Sequence, residues 1–187
     1  VTPTYNEEEN IENFCTEVKN QMIKLSYDYE HIIIDNHSKD QTAAIVKKLI
    51  QDDRRIKLIV NNKNYGHLRS PVHGILQSKG DATILINADF QDPPELIGQL
   101  ISEWSLGKKI VLLQKKKSDE NKLYFFLRKF FYQTLNNLSE TQLTINTTGS
   151  GIFDKSIIEE LRKINDPCPY FRGLVADLGP EIDLIEF

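Results

Sequence analysis

The 187-residue chain lacks the features that mark several large classes of protein. Its two cysteines, Cys15 and Cys168, form neither a CxxC pair nor a metal-ligand spacing, which favours a reduced intracellular protein over a disulfide framework. No apolar run approaches the roughly 18 residues of a membrane-spanning helix, and the first residues do not show the charged-then-apolar pattern of a signal peptide. The net charge of −4 gives no reason to expect nucleic-acid binding. Any site for an anion must therefore be local.

The composition that is present is that of an ordinary globular protein. Hydrophobic residues make up 40% of the chain and charged residues 27%. A chain of this length can bury one continuous core, so we expect residues 1–187 to form a single domain. The chain opens on valine inside an apolar run, Val1 to Thr4, and we expect it to be a fragment that lacks N-terminal residues.

Short apolar runs, each followed by turn residues and a helical pattern, recur through the first two-thirds of the chain. This alternation predicts βα units on a mainly parallel sheet flanked by helices, an α/β fold. The predicted strands are Val1 to Thr4, His31 to Asp35, Ile56 to Val60, Ala82 to Ala88 and Ile110 to Leu113. Ligands of such sheets bind at the carboxyl edge of the strands, so the polar junctions after the strands are the candidate site.

Three of these junctions carry helix-start signals. Asn6 with Glu9 and Ser38 with Gln41 fit the capping-box spacing. Asp92 precedes two prolines, which predicts a helix that begins at a proline and has Asp92 as its cap.

The segment after the fourth predicted strand, Asn87 to Glu95, concentrates oxygen ligands. If the chain stays extended there, the side chains of Asp89 and Gln91 point the same way and could hold Mg²⁺ or Mn²⁺ on a diphosphate. The alternative is that Asp89 only begins a turn. Both interpretations remain open on the segment alone.

The other two junctions offer contacts for a nucleotide. Asp35 could accept hydrogen bonds from a base or ribose, and Tyr5 and Glu7 could supply a ring face and an acceptor. Helix capping competes with each of these roles. His67 and His73 have no metal-ligand spacing and are interpreted as surface or packing residues.

Leu123 to Tyr132 combines six aromatic residues with two cations in ten positions. Such a helix can lie in a membrane interface with its cations toward lipid phosphates. A core helix with a basic edge explains the same pattern.

Five motifs, taken in order, resemble those of the family 2 glycosyltransferases, which have the GT-A fold. Within this family, the chain is most similar to the polyprenyl-phosphate glycosyltransferases and dolichyl-phosphate mannose synthase. The motifs are Pro3-Thr4-Tyr5-Asn6-Glu7, Asp35-Asn36-His37-Ser38-Lys39-Asp40, Asn64-Tyr65-Gly66-His67, Asn87-Ala88-Asp89-Phe90-Gln91-Asp92-Pro93-Pro94-Glu95 and Tyr170-Phe171-Arg172-Gly173-Leu174. The resemblance covers nearly the whole chain.

For the donor, the resemblance implies a nucleotide-sugar site on a GT-A catalytic domain. Its base and ribose would be surrounded by Pro3, Tyr5, Glu7 and Asp35. Asp89, as the catalytic residue, would hold Mg²⁺ or Mn²⁺ on the diphosphate together with Gln91.

For the acceptor, the resemblance implies a polyprenyl phosphate at a membrane surface, in the synthesis of cell-envelope glycans. Lys122, Arg128 and Arg172 are the candidates to bind its phosphate. We expect the enzyme to work at the cytoplasmic face of the cell membrane, with transmembrane helices after residue 187. Homo-oligomer formation and the identity of the sugar are left open.

Two positions depart from the family pattern. Asn87 replaces the first acid of the D-x-D motif, and His37 stands where glycine is frequent. On sequence grounds, changing Asn87 to aspartate is expected to preserve or strengthen metal-dependent binding by adding a charged ligand. Histidine is tolerated at positive φ, although less easily than glycine.

Two other functions remain open. A GT-A transferase with a soluble acceptor would need a carboxylate base, since a hydroxyl is not ionised at pH 7, and Asp92 would be the candidate. A non-catalytic sugar-nucleotide-binding module is the other, suggested by Asn87.

Overall fold

The computed structural model describes residues 1–115, 147–164, 166, 169–178 and 181–187. Its strands are β1 Thr2–Thr4, β2 His31–Asp35, β3 Ile56–Val60, β4 Ala82–Leu85, β5 Ile110–Gln114, β6 Thr147–Asp154 and β7 Ile182–Glu186. Its helices are α1 Ile11–Leu25, α2 Thr42–Asp52, α3 Gly66–Leu76, a 3₁₀ turn Pro94–Leu96, α4 Ile97–Ser105, α5 Lys155–Lys163 and α6 Phe171–Asp177. Lys122, Arg128 and the segment Leu123 to Tyr132 lie outside the described residues.

The strands form two hydrogen-bonded groups that meet at the beginning of the chain. β1, β2 and β3 are parallel in that order, and the second group has the order β4-β6-β5-β7. β6 is antiparallel to β4 and β5, whereas β7 is parallel to β5. The Val1 nitrogen donates to the Ile84 carbonyl oxygen at 2.7 Å, and the Ile86 N–H donates to the Val1 carbonyl oxygen at 3.1 Å. This is the pattern of a parallel pair, so β1 lies beside β4.

Helices cover both faces of this sheet, as the sequence pattern predicts. Alternate residues of β5 enter different core clusters: Val111 and Leu113 pack with α1 and α4, whereas Ile110 and Leu112 pack with α3, α5 and α6. This period-two alternation places the two clusters on opposite faces. The α/β fold with a mainly parallel sheet is therefore confirmed.

The helix starts predicted from capping boxes are wrong for the first two helices. α1 begins at Ile11 and α2 at Thr42, four or more residues later than Asn6 and Ser38, and neither N-cap residue makes a side-chain cap bond. The predicted capping side chains instead join the two junctions. The Asn6 Oδ1 accepts from the Lys39 N–H and the Ser38 Oγ accepts from the Asn6 N–H, both at 2.9 Å. Asn6 and Ser38 thus bond between the two loops, while the Asp40 carboxylate accepts from the Thr42 N–H at the start of α2.

The fourth strand is shorter than predicted, and Asp92 is not a cap. β4 ends at Leu85 instead of Ala88. The prediction of a proline-initiated helix is correct, since Pro94 opens the 3₁₀ turn, but its N-cap residue is Pro93 and no side chain caps it. The Asp92 carboxylate is buried and accepts a hydrogen bond from the Ser150 hydroxyl instead.

Cys15 is a free thiol on the buried side of α1 and is part of the core. Burial raises its pKa to about 12, so the reactive thiolate is scarce at neutral pH. Cys168 lies outside the described residues. Within the part of the chain that the structure describes, no helix is long and apolar enough to cross a membrane.

Gly151 on β6 gives a prediction about the sheet that carries the site. It pairs with Leu85 on one side and Leu112 on the other, and a Cβ added there would lie 2.3 Å from the Val111 carbonyl oxygen. We expect Gly151→Ala to lower the free energy of unfolding by about 2–3 kcal/mol, because the strand backbones would have to separate. Chemical denaturation measures this change.

Gly98→Ala is the matched control, since an added Cβ on this α4 residue meets only Leu25 at 3.7 Å. It should be neutral or slightly stabilising, because alanine is the better helix former. Equal destabilisation by both variants would contradict the account of the β5–β6 pair.

Candidate functional site

Side chains from three strand ends and from the start of α3 line one cleft at the carboxyl edge of the sheet. The cleft has a volume of about 370 Å³. Its lining includes Pro3, Tyr5, Asn36, Asn64, His67 and Asn87. Tyr5 is 41% exposed, so its ring is accessible to a ligand. The structure thus brings together residues from four of the five motifs identified in the sequence.

Asp35 lies directly behind this cleft and is only 1% exposed. Its carboxylate accepts hydrogen bonds from the Ser38 N–H at 3.1 Å and from the Ser38 hydroxyl. His37, between them, has φ 67°, the left-handed conformation for which glycine would be better suited. The carboxylate therefore shapes its own turn, and its contact with a nucleotide stays a prediction.

Asn36 contributes to the cleft although the sequence did not single it out for a role. It is buried, and its amide donates to the Asn64 Oδ1 at 2.9 Å and to the Gly66 carbonyl oxygen at 3.3 Å. Its Oδ1 accepts from the Asn61 Nδ2 at 3.1 Å and from the Tyr65 N–H at 2.9 Å. Asn36 thereby holds the loop that carries one wall of the cleft. The signals in the sequence are its place beside Asp35 at a strand end and its membership of the second motif.

Glu7 lies apart from the cleft. Its backbone N–H donates to the Thr42 hydroxyl at 2.8 Å, and its Oε2 accepts from the Asn10 Nδ2 at 2.9 Å. It lines a separate polar depression with Asn6 and Asp40. The structure therefore separates Glu7 from Pro3 and Tyr5, with which the sequence grouped it.

The chain is not extended between Asp89 and Gln91, so that premise of the sequence argument is wrong. Phe90 has φ 57° and its ring packs edge-on against Phe14, with 5.4 Å between centroids. The Asp89 Oδ1 accepts from the Gln91 N–H at 3.1 Å, which makes Asp89 the start of a turn. The Gln91 Oε1 accepts from the Lys115 ammonium at 3.2 Å.

The described residues hold no group of three or more histidine, cysteine or acidic side chains that could bind a metal ion by themselves. Mg²⁺ is commonly held by one or two carboxylates plus the phosphates of a substrate, so a full protein cage is not required. Asp89 is an exposed carboxylate of this kind, with the Gln91 amide beside it in the same turn. Asp89 fits an ion that is held mainly by a diphosphate, whereas the Gln91 Oε1 would first have to be released by the Lys115 ammonium.

Arg172, the third predicted acceptor residue, is the second residue of α6, and its side chain is not described. Lys115, which the sequence did not single out, is the cation that the structure places at this turn. Its position at the end of β5, beyond the predicted strand, is the only sequence signal for it.

The arrangement of strands and helices is that of the GT-A glycosyltransferase fold, which two solved structures share. A mannosyltransferase from Pyrobaculum calidifontis, solved with GDP-Man and Mn²⁺, superposes with a TM-score of 0.65 at 16% identity and covers 99% of this chain and 53% of that one. Glucosyl-3-phosphoglycerate synthase from Mycobacterium tuberculosis, solved with Mn²⁺, UDP and phosphoglyceric acid, gives a TM-score of 0.61 at 16% identity over 99% and 66%. At such identities the likeness shows the fold alone.

Residues 1–162 match the model of glycosyl transferase family 2, and the chain belongs to this family. An uncharacterised glycosyltransferase of Bacillus subtilis, YkcC, is 30% identical over 191 residues, which is 100% of this chain and 58% of that protein. A prophage bactoprenol glucosyl transferase homolog of Escherichia coli is 28% identical over 188 residues, 100% of this chain and 61% of that protein. The chain thus spans about three-fifths of these curated relatives.

Proposed function

We propose that this chain forms the catalytic domain of an inverting glycosyltransferase that moves a hexose from a nucleotide-diphosphate sugar to a membrane polyprenyl phosphate. The observation that carries the proposal is the alignment of the whole chain with bactoprenol glucosyl transferases, at 27–28% identity. The cleft supports it, because an exposed tyrosine ring and several amides line a space of the right size for a nucleotide.

The donor would lie in this cleft, with its base and ribose against Pro3 and Tyr5. Asp35 would act through the turn that it shapes, and Glu7 through the loop contacts that hold Tyr5 in place. The diphosphate would extend toward Asp89. When bound there, Mg²⁺ or Mn²⁺ neutralises the charge that builds up on the departing nucleoside diphosphate.

The acceptor would need no general base. A phosphate monoester loses its second proton near pH 6, so much of a polyprenyl phosphate is already a dianionic nucleophile at neutral pH. One of its oxygens would form a bond to the anomeric carbon as the bond from that carbon to the diphosphate breaks. Attack from the opposite side inverts the configuration, so an α-linked donor would give a β-linked product.

Cations would hold the acceptor phosphate at the cytoplasmic face of the cell membrane. Lys115 is the described candidate, and Lys122, Arg128 and Arg172 remain candidates from the sequence. The alternative with a soluble acceptor needs a base that the acceptor can reach. Asp92, the candidate for that base, is 0% exposed, which disfavours this alternative.

The test uses membranes that contain the full-length protein, supplied separately with labelled UDP-glucose, UDP-galactose and GDP-mannose. We expect one donor to give a labelled lipid in the organic phase, with the sugar in β linkage. Membranes that contain the Asp89→Ala protein serve as the blank. Label that passes to a water-soluble acceptor, with none in lipid, would overturn the proposal.

Lys115 gives a separate prediction about phosphate binding. We expect Lys115→Ala to lower turnover about tenfold, because a fixed cation next to a phosphate typically contributes that much or more. Lys47→Ala, which removes an exposed lysine from α2, is the control. Initial rates at saturating donor measure the effect, and equal rates for both variants would exclude Lys115 from the phosphate site.

A further inference from the structure

The buried residues Asp92 and Ser150 and the half-buried Asn87 form a polar cluster next to the cleft. Asp92 and Ser150 are both 0% exposed, and the Ser150 hydroxyl donates to the Asp92 Oδ2 at 2.6 Å. The Asp92 Oδ1 has no hydrogen-bond partner among the described residues. A buried carboxylate costs free energy, so its retention requires an explanation.

Asn87 connects this cluster to the cleft. Its Nδ2 lies 3.4 Å from the Asp92 Oδ2 and 3.5 Å from the Ser150 Oγ, and the residue also lines the cleft. An amide has one donating and one accepting end, whereas a carboxylate has only acceptors. The NH₂ group of Asn87 is thus turned to Asp92, which leaves the carbonyl oxygen as the end of the amide that can face the cleft.

We propose that Asp92 is a positioning residue, which fixes the Asn87 amide so that its Oδ1 faces the bound nucleotide sugar. The nature of that ligand rests on the proposed function; the pairing of the two side chains does not. Ser150 holds the carboxylate in place from β6, which lies beside β4 in the sheet. The carboxylate at position 92 needs a hydrogen-bond donor, which an amide at position 87 provides and an acid there would not.

This pairing reverses the expectation from sequence for Asn87→Asp. Two carboxylates at the Asn87–Asp92 distance would repel each other inside the protein, and the donor to Asp92 would be lost. Groups that orient a ligand-binding side chain typically contribute about 10- to 100-fold to affinity. We expect N87D alone to weaken binding of UDP with Mn²⁺ at least tenfold.

The test is an exchange of the two side chains. In the N87D/D92N double variant, an amide at position 92 can donate to an acid at position 87, so the acid–amide pair is restored with the carboxylate on the cleft. We expect the double variant to recover nucleotide affinity to within about threefold of the original protein, and D92N alone to lose about tenfold. Calorimetry measures nucleotide affinity. Denaturant unfolding of the same variants measures how far the effects of positions 87 and 92 on the free energy of unfolding depart from additivity.

Asp81→Asn provides the matched control, since Asp81 is a surface residue whose side chain is 86% exposed. Combined with N87D, it should recover neither affinity nor stability. Loss of folding in N87D that D92N repairs would also support the pairing.

Three results would overturn the proposal: additive effects of N87D and D92N on stability, equal rescue by Asp81→Asn, or unchanged nucleotide affinity in D92N. The last would make Asp92 a purely structural residue. Failure of the proposed function looks different, because the original protein would then bind no nucleotide sugar while the stability coupling between positions 87 and 92 remained.

Discussion

Replacement of Asp89 by alanine is expected to lower metal-dependent nucleotide binding and turnover by about a hundredfold. Asp89 is the exposed carboxylate of the turn that follows β4, and its Oδ1 also accepts from the Gln91 N–H. The variant loses the charged oxygen ligand and loosens the turn that places Gln91. Loss of one preorganised group that stabilises developing charge typically costs about 10²- to 10³-fold in rate.

Calorimetry with Mn²⁺ and UDP, and separately with GDP, measures the binding part of this effect. Asp28→Ala removes an exposed acid after α1 and serves as the control for net charge. Unchanged affinity in the Asp89 variant would exclude it as a ligand. If Asp89→Ala weakened nucleotide binding equally with and without Mn²⁺, the role of Asp89 would be to hold the turn and not to bind an ion.

Alanine at Asn36 is expected to destabilise the protein by roughly 2–4 kcal/mol and to abolish nucleotide binding. The change removes four hydrogen bonds that hold residues 61–66. It leaves the Tyr65 N–H without its acceptor and the Asn61 amide with Ser70 as its remaining acceptor. A buried polar group left unpaired costs about 1–3 kcal/mol. The wall of the cleft that carries Asn64 and His67 would lose its fixed position.

Unfolding by denaturant measures the stability, and binding is then measured below the unfolding midpoint so that only folded protein is compared. Asn20→Ala on α1 removes an exposed amide with a single bond of 3.4 Å to Glu17 and should change neither quantity. If Asn36→Ala bound the nucleotide normally while folded, Asn36 would have no role in shaping the site.

The strands were predictable because their signal is local and strong. β2 is buried at all five positions, and its three central residues are isoleucines, as is typical of a central parallel strand. β2 and β3 have the predicted bounds, and β1 and β5 differ from them by one residue. β3 is buried mainly at Ile56, yet its apolar residues also mark it as a strand. Short apolar runs between polar turns therefore suffice to locate these elements from the local sequence.

The junctions were less predictable because distant residues decide them. Asn6 and Ser38 carry the chemistry of helix caps, but each finds its partner in the other loop, about thirty residues away. The turn at Phe90 depends on a ring contact with Phe14 on α1. Asp92 was assigned to its own helix, and its partner Ser150 is on a strand 58 residues further along. The local sequence does not show whether such a side chain will cap its own helix or bond to a residue far along the chain.

The resemblance to family 2 glycosyltransferases identified the family correctly, and the structure adds which side chains lie at the cleft. Pro3 and Tyr5 line it, whereas Glu7 lies in a neighbouring depression and Asp35 is behind it. Asn36 and Lys115 join the candidate site from outside the predicted set. Motifs place residues in the right region, and hydrogen bonding between loops decides which of them line the cleft.

The most direct measurement is a crystal structure of this chain with Mn²⁺ and either UDP or GDP. We expect one nucleotide in the cleft, with its base against Pro3 and Tyr5 and its diphosphate and metal at Asp89. The Asn87 Oδ1 should face the nucleotide, with its Nδ2 still toward Asp92. A nucleotide bound elsewhere, or a diphosphate and metal that approach neither Asp89 nor Asn87, would contradict the account.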